Sequence, residues 1–207
     1  MISIRPGARA LVHVLSLVAT TFASTTPLAS VASQYSLTTS TTLPFPTATL
    51  SSNDTDSFVV SGWSLSKGHI QNGNDGLQFV ADPFPSKPVP VNDGASSTNT
   101  TALQVFYPVG SFNNNTGGAQ FYTLWNSSTP FQSMLVSYEL AFDTNFQFVK
   151  GGKLPGLRGG PSVNGCDGGK EHNGTDCFST RLMWRKDAAG EGNVLSFECS
   201  PARPDSF

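Results

Sequence analysis

The sequence is poor in charge and in long apolar runs, and it holds few cysteines. Charged residues make up 13% of the 207 residues, and the formal net charge is −2. So little excess charge argues against nucleic-acid binding, which needs a basic surface. No stretch after the N-terminal segment is long and apolar enough to cross a bilayer. The three cysteines and three histidines show no Cys-x-x-Cys or His-x-x-x-His spacing, so no metal site and no cofactor is expected.

Turn-forming residues and aromatic strands are abundant instead. Glycine, proline, serine, threonine and asparagine recur throughout, and no sustained helical period follows the first thirty or so residues. Short strands separated by turns are typical of an antiparallel β-sandwich or jelly roll, so an all-β fold is predicted. The segments read as strands are SFVVSGW from Ser57, GLQFVAD from Gly76, ALQVFY from Ala102, GAQFYTLW from Gly118 and MLVSYELAFD from Met134.

The N-terminal region indicates export. Residues 1–32 combine early arginines, a mostly apolar stretch and small residues, which is typical of a secretory signal; a membrane anchor is the alternative. Residues 33–57 read as a Ser/Thr-rich linker and 58–207 as one domain. The expected product is secreted, extracellular, monomeric and free of the membrane once processed. Five sequons agree with export, at Asn53, Asn99, Asn114, Asn126 and Asn173.

Two cysteines bracket a glycine-rich loop. Cys166 and Cys177 are well placed to close this loop as a disulfide in an oxidising compartment, worth about 2–3 kcal/mol. A metal site that adds His172 and Asp176 is the weaker alternative. Cys199 is left over.

The most distinctive stretch runs from Phe146 to Lys186. It holds seven cations against three anions in a slightly acidic chain. The cations are Lys150, Lys153, Arg158, Lys170, Arg181, Arg185 and Lys186. This asymmetry predicts a cationic groove for an anionic ligand, with solvated surface lysines as the plain alternative.

The end of this stretch alternates as a strand does. One face carries Ser179, Arg181, Met183 and Arg185, and the other carries Thr180, Leu182 and Trp184. Upstream, Phe146, Phe148 and Lys150 are predicted to share a strand face. The following Gly151-Gly152 pair predicts a bulge or a close backbone approach, which would turn Lys153 towards the groove.

These residues also carry a family resemblance. KGGKLPGL (Lys150–Leu157), a Cys-bounded loop and FSTRLMWR (Phe178–Arg185) resemble polysaccharide lyase family 14, including its fungal secreted members. The resemblance implies a jelly roll and β-elimination of an anionic polysaccharide such as alginate or glucuronan. It assigns catalysis to Lys153, Ser179 and Arg181, with Lys150 as the rival lysine. Lys150, Arg158 and Arg185 are predicted to bind substrate.

The sequence departs from this family after Glu191. Family members carry a Tyr-x-Tyr pair thought to serve the proton transfers, and it would fall near Asn193 and Leu195, where this chain has no tyrosine. The jelly roll is therefore expected to be incomplete at its C terminus, and the chain inactive or impaired. A non-catalytic acidic-glycan-binding module is the alternative. A glycoside hydrolase is disfavoured, because Glu139 and Asp143 form no evident acid pair.

Overall fold

The protein is described from a computed structural model, which covers residues 2–5, 28–83, 101–112, 116–125, 131–143, 145–160 and 177–195. The chain forms two compact units, Met1–Phe146 and Gln147–Phe207. The single domain predicted for residues 58–207 is thus divided after Phe146. Strands predominate and all pairings are antiparallel, which confirms the all-β class.

The first unit is built on a four-stranded sheet of order β2-β3-β1-β4. Its strands are β1 (Ile2–Arg5), β2 (Leu77–Ala81), β3 (Thr101–Val105) and β4 (Glu139–Phe142). Strand β1 falls in the predicted leader, yet it pairs on both edges. Ile4, for example, lies opposite Leu103 on β3 and Leu140 on β4. Apolar positions therefore match across all three strands, as a sheet with one buried face requires.

A helix takes the place of the strand predicted at SFVVSGW. Helix α2 (Ser52–Gly62) begins at Ser51, whose side chain accepts a hydrogen bond from the Asp54 amide at 3.3 Å. Thr55 and Val59, four residues apart, are both fully buried, because they share one face of this helix. The prediction was wrong because burial of Thr55 and Val59 on one helical face outweighs the strand preference of the paired valines. A shorter helix, α1, spans Leu28–Gln34. Neither helix in the described part of the chain is long and apolar enough to cross a membrane.

Part of the predicted linker belongs to the core of this unit. Phe45 is 8% exposed, and its ring centroid lies 5.6 Å from that of Trp63 and 5.3 Å from that of Phe79. The Trp63 indole also donates a 2.6 Å hydrogen bond to the Pro44 carbonyl. The packed part of the chain thus begins before Phe58, because residues from Pro44 onward contact the aromatic core.

The segment GAQFYTLW is not a regular strand. It meets the chain around residues 64–72 through isolated bridges, Asn72 to Gln120 and Leu65 to Thr123. The described residues of MLVSYELAFD form a strand only at their end, in β4. By contrast, GLQFVAD and ALQVFY contain β2 and β3, as predicted.

The second unit is a small sheet centred on β7 (Phe178–Trp184). Strand β8 (Gly190–Leu195) pairs with β7 along one edge. Strands β5 (Gly152–Lys153) and β6 (Arg158–Gly159) pair with β7 near its opposite ends. Since β8 already occupies one edge of β7 at those positions, β5 and β6 must share the other edge. The strand predicted through Phe146 and Lys150 is wrong, since that part of the chain is irregular.

Candidate functional site

The register of the second sheet brings the predicted catalytic residues to one face. Lys153 lies directly opposite Met183, and Arg158 lies directly opposite Ser179. Cross-strand partners share a face, and every second residue of β7 shares it too. Lys153, Arg158, Ser179 and Arg181 therefore lie on one face, called the basic face from here on. The strand predicted over FSTRLMW is present as β7, and its pairing puts Ser179, Arg181 and Met183 on one face.

Ser179 and Arg181 are joined on this face by a hydrogen bond. Arg181 Nη2 donates to Ser179 Oγ over 3.1 Å. Ser179 is 5% exposed and Arg181 is half-buried. The serine hydroxyl thus restrains the guanidinium beside β6, and the remaining guanidinium N–H groups can serve a ligand. Lys153 is exposed, at the β5 end of the same face.

The opposite face explains why glycines surround β7. A Cβ atom on Gly152 would lie 1.9 Å from Trp184 Cζ2, and one on Gly159 would lie 2.4 Å from Phe178 Cε1. Between them, a Cβ on Gly156 would lie 1.8 Å from the Thr180 carbonyl oxygen. The predicted glycine effect is thus a close approach, and Gly152 and Lys153 pair in regular register without a bulge. These glycines fix where Lys153 and Arg158 stand.

The other two predicted substrate-binding residues lie outside the strands of this sheet, and Arg185 borders the basic face, because its partner Glu191 stands opposite Met183 on that face. Lys150 is exposed in a bend before β5 and belongs to no strand. Arg185 follows β7 and is held by Glu191 through two hydrogen bonds, Nε to Oε2 and Nη2 to Oε1, the latter at 2.9 Å. Hydrogen bonding from Arg185 lowers the pKa of Glu191, so this pair stays ionised.

The positions expected for the two tyrosines also lie next to the basic face. Asn193 on β8 is directly opposite Arg181, and Leu195 is directly opposite Ser179. In the register of β8 these two positions pair with the arginine and the serine, and the chain has asparagine and leucine there where the resemblance implies tyrosines. All four tyrosines of the chain precede β5 in sequence.

Other predicted features are described only in part. Cys177 is buried directly before β7 and takes part in a disulfide, but Cys166 lies outside the described residues. Asn53 is exposed in α2, and the other four sequons lie outside the described residues. Within the described ranges, no group of three or more His, Cys, Asp or Glu residues could hold a metal ion.

One protein family matches this chain. The family model described as polysaccharide lyase 14 matches residues 95–198, which is just over half of the 207 residues. The chain belongs to polysaccharide lyase family 14. No curated protein and no solved structure matches it significantly. The matched region contains every residue of the basic face, and the jelly-roll character of the family agrees with the antiparallel sheets.

Family membership makes the basic face the candidate polysaccharide site. Sequence reasoning named its charged residues but missed the supporting roles of Gly156 and Gly159. The sequence held a signal for these roles. Glycines recur at short intervals in KGGKLPGLRGG, and the strand that follows, FSTRLMW, begins and ends with an aromatic residue against which glycines can pack closely. It also missed that Arg158 stands opposite Ser179, since a two-residue strand leaves too little pattern to fix a register.

Proposed function

We propose that this protein is secreted and cleaves a uronic-acid polysaccharide, glucuronan or alginate, by β-elimination. The observation that carries the proposal is the placing of Lys153, Ser179 and Arg181 on one face of the second sheet. A polyuronate presents one carboxylate per uronate unit, and cations held on a sheet face can bind it by charge-assisted hydrogen bonds.

β-Elimination needs a base, an acid and groups that stabilise the developing charge, and Lys153, Ser179 and Arg181 can supply the last of these. A base removes the proton at C5, the C5–H electrons form the C4=C5 double bond, and the C4–O bond breaks. The leaving oxygen then takes a proton from an acid. The C5 proton is weakly acidic while the neighbouring carboxylate is charged, so donors must stabilise charge that develops on that carboxylate. Arg181 suits this role as a planar fork held by Ser179, and Lys153 would stabilise the enolate-like intermediate.

The test is an assay on the full chain with glucuronan and with alginate. The product carries a double bond conjugated to its carboxylate, so ultraviolet absorbance should rise with time. Lys153→Gln should lower the rate by about 10²–10³-fold, the usual effect of losing one group that stabilises transition-state charge. Lys186→Gln, at an exposed lysine outside the strands, is the matched control and should change it little; a large loss for Lys150→Gln instead would assign the role to the rival lysine. A folded chain that gives no absorbance rise on either polymer would contradict the lyase proposal.

Export is part of the same proposal, together with leader cleavage, N-glycosylation and a disulfide. Expression in a secreting eukaryotic host should yield protein in the medium that has lost its leader and carries N-glycans. It should also hold a Cys166–Cys177 disulfide, detectable as a linked peptide by mass spectrometry without reduction. Intracellular retention of the folded chain without glycans would count against export.

A second candidate is an acidic-glycan-binding module without turnover. The register supports it, because Asn193 and Leu195 occupy the β8 positions beside Arg181 and Ser179. Neither an amide nor an aliphatic side chain can act as a general base or acid near neutral pH. Binding of polyuronate that persists at high salt, with no absorbance rise, would favour this candidate over the enzyme.

A further inference from the structure

Two arginines flank one buried serine on the basic face. Arg158 stands directly across from Ser179, and Arg181 donates to the same hydroxyl at 3.1 Å. Ser179 is 5% exposed, and both arginines are half-buried. Their positions are diagonal neighbours on adjacent strands, with Cα atoms about 7–8 Å apart, within reach of long side chains. Two guanidinium groups can therefore approach the space above one serine.

The charges around Arg181 favour an anion there. Its cross-strand partner on β8 is Asn193, which is neutral. Within residues 147–160 and 177–195, the acids are Asp187 and Glu191. Glu191 lies on the basic face, opposite Met183 and diagonal to Arg181, and its charge is paired with Arg185. Asp187 lies in the 3-10 turn beyond the end of β7. The described sheet thus sets no acid directly opposite Arg181. Because Arg158 and Arg181 are partly buried, solvent ions screen their positive charges less than on open surface, and an anion bound between them would be attracted by both.

We propose that Arg158 is the second guanidinium of a two-arginine site that binds a single uronate carboxylate together with Arg181. This inference rests on the proposed function and deepens it, since it names the residue that makes the site selective for acidic sugars. Arginine presents N–H donors in a rigid fork that matches the two oxygens of a carboxylate. Ser179 acts here as a positioning residue, because it restrains Arg181 beside Arg158.

The choice of Arg158 over Lys150 follows from the sheet. Strand β6 fixes the backbone of Arg158 against β7, and the Phe178 ring covers its neighbour Gly159 on the other face. Lys150 has no such restraint, because it is exposed in a bend outside the strands. A residue held in place loses less conformational entropy on binding than a mobile one, so it contributes more to affinity.

Calorimetric binding to the full chain tests this inference. The ligands are a uronate oligosaccharide and the same oligosaccharide with its carboxylates reduced to alcohols. Arg158→Gln should weaken uronate binding by about 10–100-fold, as expected for losing a charged bidentate contact. Arg158→Lys should recover only part of that loss, since it restores the charge without the fork. Lys186→Gln, at an exposed lysine of the 3-10 turn after β7, is the matched control and should stay within about threefold of wild type.

The reduced ligand distinguishes charge recognition from simple damage to the fold. It should bind weakly to wild type, and Arg158→Gln should weaken it no further. Equal loss for both ligands, or unchanged uronate binding by Arg158→Gln, would overturn the inference while leaving the proposed function standing. Wild-type protein that binds neither ligand would overturn both. Thermal unfolding of each variant, compared with wild type, identifies any variant whose affinity changed through misfolding.

Discussion

Replacing Gly152 with alanine tests how the basic face is held in place. The added Cβ would lie 1.9 Å from Trp184 Cζ2, 2.2 Å from Cη2 and 2.5 Å from Cε2. Carbon atoms pack best at about 3.5–4.0 Å, so either the ring or strand β5 must move by more than 1 Å. The Trp184 ring is 5% exposed and has little room to yield. Overpacking of this kind typically costs about 1–3 kcal/mol.

The assay is denaturant or thermal unfolding, with Gly192→Ala as the matched control. Gly192 lies in β8 of the same sheet, and nothing lies within 4 Å of its added Cβ. Gly152→Ala should lower the melting temperature by about 2–4 °C for each kcal/mol lost, and Gly192→Ala should not lower it. Uronate binding should weaken in parallel, because Lys153 follows Gly152 directly and moves with β5.

A double-mutant cycle isolates the cause. In a Trp184→Leu background the ring is absent, so Gly152→Ala should cost much less than in wild type, with a coupling energy of about 1–3 kcal/mol. If Gly152→Ala stays within about 0.5 kcal/mol of wild type, or costs the same in both backgrounds, the close approach does not constrain β5.

Two further predictions concern the first unit. Burial raises the pKa of Tyr107 from 10.0 to about 12. The contribution of this phenol to the free energy of unfolding is therefore fully present below pH 10, and about 2–3 kcal/mol is lost as the pH rises towards 12. Tyr107→Phe should reduce that alkaline loss in unfolding titrations, and an unchanged pH profile would contradict the raised pKa of Tyr107. Deleting residues 1–5 removes β1, which is paired on both edges, so the truncated chain should unfold several degrees lower or aggregate. Unchanged melting after this deletion would show that β1 contributes no stability, and the N-terminal mass of exported protein shows whether processing removes it.

Strand β7 could be predicted from the sequence because its own residues carry the pattern. In an extended chain FSTRLMW places Ser179 and Arg181 on one side and Thr180, Leu182 and Trp184 on the other, and the structure contains this strand. Lys153 joins β7 by a regular pair opposite Met183, so it shares the face of Ser179 and Arg181 without the bulge that the glycine pair predicted. That part of the prediction needed only local alternation and one neighbouring strand.

Other features depended on contacts that local pattern does not contain. Helix α2 holds adjacent valines, which favour strands, and it is stabilised by packing Thr55 and Val59 against the core. The core role of Phe45 depends on ring contacts with Trp63 and Phe79, which are distant in sequence. The facing of Arg158 and Ser179 is a register between strands β6 and β7, which a two-residue strand does not reveal in its own sequence. In each case tertiary packing outweighed local composition.

The last prediction concerns catalysis rather than fold. Asn193 and Leu195 stand opposite Arg181 and Ser179, where the family resemblance places the two tyrosines that transfer protons. We expect Asn193→Tyr with Leu195→Tyr to raise product formation by about 10²–10⁴-fold, the usual share of positioned general acid–base catalysis. Gly192→Tyr with Val194→Tyr is the matched control. Those positions lie opposite Leu182 and Thr180, on the other face of the sheet, so the control should remain without gain. If wild type already forms product as fast as the Asn193→Tyr/Leu195→Tyr variant, other residues transfer the protons. If this variant binds polyuronate but forms no product, tyrosines at the two β8 positions do not supply the general acid and base.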